Sequence, residues 1–100
     1  MDKDQAVACA EQYLNLVRKV MDVKSAYLFG SYVSGAPRED SDIDIGIFTD
    51  TMPPDYLGAL KMLFRTRRSV DARIEPHLFV IGHDQSGFQT EVLEQGLRLL

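Results

Sequence analysis

Two short stretches decide the fold: Ala26-Tyr27-Leu28-Phe29-Gly30-Ser31, and Ser41-Asp42-Ile43-Asp44-Ile45-Gly46-Ile47-Phe48. The first is an apolar run closed by Gly-Ser, which reads as a buried strand ending in a tight turn. The second alternates, with Ile43, Ile45 and Ile47 on one side and Asp42, Asp44, Gly46 and Phe48 on the other, the two-residue period of a strand. Both aspartates are therefore expected to point the same way. Ten residues, Tyr32 to Ser41, separate Ser31 from Asp42. That is short enough for the two strands to pair antiparallel through the loop that carries Gly35, Pro37, Arg38, Glu39 and Asp40.

Outward from this centre, Val7, Ala10, Leu14, Val17 and Met21 recur at helical steps, so Asp4 to about Met21 reads as an amphipathic helix. Pro53-Pro54 favours a second helix, running from about Pro54 to Arg68 with Leu57, Leu60 and Phe64 as its apolar stripe and a basic last turn that suits the helix dipole. Val70 to Glu75 reads as a third strand on which Asp71, Arg73 and Glu75 share a face, and Pro76 is expected to limit further ladder bonding. Phe88, Val92 and Leu93 suggest a last helix ended by Gly96, with Leu97 to Leu100 as a short terminal strand. The expectation is an α+β fold, a small mixed β-sheet backed by α-helices, as a single domain over residues 1–100.

Composition removes several classes of function. The 100 residues are 45% hydrophobic and 26% charged, ordinary for a soluble globular domain. No apolar run approaches the roughly 20 residues that span a bilayer, so no membrane association is expected. The lone Cys9 cannot form an intrachain disulfide, which fits a cytoplasmic protein. A net charge of -4 does not indicate nucleic-acid binding, although Lys61, Arg65, Arg67, Arg68 and Arg73 crowd one stretch. That group reads as a solvated helix end, with a triphosphate, an acceptor or a partner protein as other uses.

Carboxylates at i and i+2 on one strand project side by side and suit hard divalent cations. Two ions about 4 Å apart would stabilise the attacking and leaving oxygens of an in-line displacement at phosphorus. Taken alone, such a pair is most simply a solvated strand face. Gly30 adds a backbone that a phosphate can approach closely, and the residues after it are expected to open a short helix whose N–H groups and the Ser31 hydroxyl bind anions. Two rival motifs fail on the same residues. Gly30 and Gly35 have the spacing of a phosphate loop, but Ala36-Pro37 stands where Lys and Ser/Thr are required. Asp40, Asp42 and Asp44 could open a calcium loop, but Ile45 occupies its glycine position and Thr51 its closing glutamate.

Gly30-Ser31, ten residues, then Asp42-Ile43-Asp44 resembles the signature of the DNA polymerase beta-like nucleotidyltransferase superfamily, especially its minimal single-domain members. The likeness is strongest from Leu28 to Ile47. It implies a nucleotidyltransferase fold in which Gly30 and Ser31 bind a nucleoside triphosphate, ATP by expectation. Asp42, Asp44 and a third carboxylate would be the catalytic and metal-binding residues for Mg2+, with two ions expected. The third acid is Glu75 or Asp71, which share a face four residues apart; Glu75 is preferred because it sits between an apolar residue and a strand terminator. The chain departs from many minimal members, which carry Ala-Arg-Gly shortly after the Gly-Ser pair, where it has Val33-Ser34-Gly35. Arg38 is a candidate substitute, and His77 is read as structural. The implied activity is transfer of a nucleoside monophosphate to an acceptor hydroxyl, either on a helical partner protein, as in an antitoxin of a toxin–antitoxin pair, or on a small molecule such as an aminoglycoside. A homo-oligomer is a further possible assembly. The alternative is a non-catalytic nucleotide- or partner-binding module that keeps the same frame.

Overall fold

The computed structural model describes every residue except Ala36, Glu39 and Gln85, and of Ser34 only the backbone. The loop positions read from the sequence for Ala36 and Glu39 therefore lie outside the described residues. The elements run α1 (Lys3–Val17), β1 (Ser25–Phe29), α2 (Ser31–Ser34), β2 (Ile43–Thr49), α3 (Tyr56–Thr66), β3 (Ile74–Val80), α4 (Phe88–Gln95) and β4 (Leu97–Arg98). A 3-10 turn, Arg67–Ser69, follows α3.

The four strands form one mixed sheet in the order β3-β2-β1-β4. β1 pairs antiparallel with β2 and with β4, and β2 pairs parallel with β3. This is the α+β sheet expected from the sequence. Its registers divide the side chains into two faces. One carries Ala26, Leu28, Ile43, Ile45, Ile47, Ile74, Leu78 and Val80, all buried. Against it lies α1 through Ala6, Ala10, Tyr13, Leu14 and Val17, with Leu63 of α3 in the same core. The opposite face carries Tyr27, Phe29, Asp44, Gly46, Phe48, Glu75, His77 and Phe79, by the same register parity. Here α4 packs Val92 against Gly46 and Phe88 against Phe29 and Phe79.

Local chemistry explains the helix starts. Asp2 and Gln5 form a reciprocal capping box, with the Gln5 N–H donating to Asp2 Oδ1 at 2.8 Å and the Asp2 N–H to Gln5 Oε1 at 2.9 Å. Asp55 accepts from the Gly58 N–H at 2.9 Å, so α3 starts at Tyr56 and the prolines lie ahead of its cap. The Asp84 carboxylate accepts from the Gln89 and Thr90 N–H groups and so caps α4.

Three sequence expectations are corrected. α1 ends at Val17 rather than near Met21, because the chain tightens there: the Lys19 and Val20 N–H groups donate to the Leu16 and Val17 carbonyls, three residues back, at 3.2 and 3.0 Å. Leu57, placed in the apolar stripe of α3, is 68% exposed, and Leu63 takes the buried position. The third strand spans Ile74–Val80, with Pro76 inside it, rather than Val70 to Glu75. Arg73 and Ile81 both bond to β2, which aims the odd-numbered backbone groups of β3 inward and the even-numbered ones at the free edge. Pro76 is even-numbered, so its missing N–H removes no ladder bond. The same edge is capped where Arg67 Nη1 donates to the Ile74 carbonyl at 2.9 Å and the Tyr56 hydroxyl to the Leu78 carbonyl at 3.3 Å. These contacts and the proline blunt an edge otherwise open to pairing with another strand.

The fully buried Tyr13 hydroxyl donates to the Leu63 carbonyl at 2.7 Å and ties α1 to α3. Tyr13→Phe is expected to lower unfolding free energy by about 1 kcal/mol in a urea titration, with the m-value unchanged.

Candidate active site

Gly30 ends β1 in a conformation, φ +80°, that few other residues adopt, and α2 begins at the next residue. Across the β1–β2 register Phe29 is opposite Asp44, so the turn at Gly30 comes up against the Asp44 carboxylate. A methyl group at Gly30 would overlap Asp44 Oδ2 and stand 3.1 Å from its Cγ. Glycine is thus required twice over, by backbone angle and by space.

On the other side of β2, Asp44 is the register partner of Glu75. Neighbouring strands lie about 4.8 Å apart, so the two carboxylates rise from adjacent positions on one face of the sheet. Asp42 lies just outside β2, one residue before Ile43, and is exposed. Only Asp44 of the pair is therefore held by the ladder. Asp71, the other candidate for a third acid, belongs to the turn before β3. It is held by Arg73, whose Nη2 and Nε donate to Oδ2 and Oδ1 at 2.7 and 3.0 Å, and whose backbone N–H adds a third bond to Oδ1 at 2.9 Å. Hydrogen bonding to this guanidinium pulls the Asp71 carboxyl below the usual aspartate range and holds Arg73 strongly charged. Periodicity left Asp71 and Glu75 equivalent, whereas the fold brings Glu75 to Asp44 and engages Asp71 elsewhere.

Two contacts were not anticipated from the sequence. His77 Nε2 lies 3.2 Å from Asp44 Oδ1. Arg67 Nη1 approaches Glu75 Oε2 at 3.8 Å while its guanidinium covers the Phe64 ring at 4.9 Å. The signal for the first was present, because His77 follows Glu75 by two residues and must share its face. The second depends on how α3 packs beside β3 and has no local signal. Arg38, the candidate phosphate-side cation, is exposed, and its backbone N–H donates to Ser41 Oγ at 2.7 Å within the loop.

The donor set offered to a cation is all carboxylate oxygen, the chemistry that magnesium prefers. The missing side chain of Gly30 is what lets the Asp44 carboxylate lie against the turn. Among the described residues, no three His, Cys, Asp or Glu side chains already stand together as a metal-binding group. The chemistry fits such an ion, and closure of the other carboxylates toward Asp44 would accompany binding.

The profile of the family described as polymerase beta, nucleotidyltransferase matches residues 11–100. The chain belongs to this family and is a nucleotidyltransferase by that membership. Solved structures share its fold. A protein from Sulfolobus solfataricus, provisionally assigned as a nucleotidyltransferase, superposes with a TM-score of 0.68 at 14% identity, over 96% of this chain and 80% of that one. A mutant of the toxin–antitoxin MntA–HpeT gives 0.63 at 21% identity, over 90% and 72%. No curated protein matches the chain in sequence. No helix among the described residues is long and apolar enough to cross a membrane.

Two predictions follow from this geometry. Gly30→Ala should destabilise the fold by about 1–3 kcal/mol in chemical denaturation, through backbone strain and displacement of Asp44. The Asp71–Arg73 pair should stabilise the wild type relative to Asp71→Asn at neutral pH. Because the folded-state pKa lies below the unfolded one, near 3.9, that difference should shrink and vanish as pH falls through both values, measured by urea unfolding at each pH.

Proposed function

We propose that the chain transfers a nucleoside monophosphate, AMP from ATP, to an acceptor hydroxyl in a magnesium-dependent reaction. The observation that carries this reading is the register of Asp44 with Glu75 on adjacent strands, beside a glycine turn whose missing side chain lets the Asp44 carboxylate lie against the backbone. In the proposed roles, Gly30 and Ser31 receive the triphosphate, and Asp42, Asp44 and Glu75 hold Mg2+. When bound, the ions supply positive charge to the phosphate oxygens and to both the entering and the departing oxygen. The acceptor oxygen bonds to the alpha phosphorus, the bond from that phosphorus to the pyrophosphate oxygen breaks, and the acceptor proton passes toward the Glu75 carboxylate. Asp44, held by the ladder, orients the reacting phosphate, and Asp42 at the strand entry completes the carboxylate set.

The acceptor proposed is a hydroxyl on a partner protein. This rests on the likeness to MntA–HpeT, a toxin–antitoxin assembly. A non-catalytic module that binds nucleotide without turnover is the second reading, favoured by Val33-Ser34-Gly35 standing where many minimal members carry an arginine.

Incubation with alpha-labelled ATP and Mg2+ in cell extract should label a discrete acceptor. Asp44→Asn should reduce this labelling by at least about 100-fold without loss of the folded state. Magnesium-dependent ATP binding without any labelled product would favour the module, and undiminished labelling by Asp44→Asn would remove the proposed site.

A further inference from the structure

We propose that His77 is a positioning residue for Asp44: its Nε2–H donates to Oδ1 and holds the carboxylate in the orientation that receives the metal ion. This rests on the metal-binding role given to Asp44 above.

The contact is 3.2 Å long and joins side chains that are 28% and 24% exposed, so water competes for it only in part. Strand parity puts His77 on the face of Glu75. Its own register partner on β2 is Gly46, which has no side chain, so the imidazole reaches along the sheet to Asp44. Three aromatic rings from three elements restrict that imidazole. Phe29 of β1 lies 5.0 Å from it between ring centres, Phe88 of α4 5.8 Å and edge-on, and Phe79 of β3 6.3 Å and nearly parallel. Phe29 also stands directly opposite Asp44 in the β1–β2 register.

Asp44 is consequently constrained at both oxygens. Oδ1 meets His77, and Oδ2 packs against Gly30 in the place that a side chain there would take. A carboxylate fixed before an ion arrives loses less side-chain freedom on binding, and outer partners of this kind typically change metal affinity by about 10–100-fold. The nitrogen nearest the site already engages Asp44 Oδ1, which favours a role through Asp44 over direct ligation. With the ring packed against Phe29 and Phe88, the hydrogen bond also links Asp44 to α4 on this face.

The test uses Mn2+ as the probe and the full chain, with free Mn2+ read by electron paramagnetic resonance. His77→Phe keeps the ring and its packing but removes the donor, and His77→Gln restores a donor near the position of Nε2. Mn2+ should bind the wild type and His77→Gln within about twofold of each other, and His77→Phe about tenfold more weakly. Unchanged metal-free melting temperatures would establish that the fold is intact, and His77→Leu replaces His77→Phe if that variant does not fold. Binding by the donor-less variant as tight as wild type overturns the proposal. So does nitrogen modulation from an imidazole on bound Mn2+ together with weak binding by His77→Gln, which would make His77 a ligand. The metal reading itself fails separately: absence of Mn2+ binding by the wild type, or wild-type affinity in Asp44→Asn, would remove it and this inference together.

Discussion

In-register parallel pairing of β2 with β3 is the constraint on which the rest of the site depends. Parallel strands bring like ends together, so the starts of β2 and β3 lie side by side, and the antiparallel β1 delivers its own end to the same edge of the sheet. Gly30, Asp44 and Glu75 thus meet although 45 positions separate the first from the last in chain numbering. A slip of one residue in β3 would turn Glu75 to the opposite face, beside Ile43 and Ile45 of β2, and expel Ile74 from it. Burial on that face makes the slip costly, since it would exchange apolar side chains for a carboxylate without a partner.

The two faces of the sheet divide structural and chemical work. The face under α1 and α3 is closed and aliphatic, and it supplies most of the buried core. The opposite face is aromatic and only partly covered, because α4 is eight residues long and packs over Phe29, Gly46 and Phe79. Asp44, Glu75 and His77 retain access to solvent there while their backbone is held by a well-packed ladder. Rigid strands carrying partly exposed polar groups are the arrangement that precise phosphate chemistry requires. Arg67 contributes to both sides of this division, capping the free edge of β3 at Ile74 and approaching Glu75.

Much of this organisation is legible residue by residue. The helical recurrence of Val7, Ala10, Leu14 and Val17 announces α1, the apolar run before Gly30 announces β1 and its turn, and alternation through Ile43, Ile45 and Ile47 announces β2. Gly96 marks the end of α4. Boundaries were less legible where a single residue carries two meanings. Pro76 reads as a strand terminator until the strand is known to lie at an edge, where a missing N–H is harmless. Leu57 reads as part of a helical stripe until α3 is seen to turn it outward.

By itself the sequence determined the order of helices and strands, the glycine turn and the family, because these rest on local periodicity and on spacing along the chain. Only the tertiary structure decided which acid joins Asp44, since Asp71 and Glu75 have equal parity and differ only in where β3 begins and in the Arg73 guanidinium that engages Asp71. It alone also joined His77 to Asp44 and Arg67 to Glu75. The reason is physical: hydrogen-bond register between strands distant in the chain is fixed by burial of whole faces, and no window of neighbouring residues carries that information.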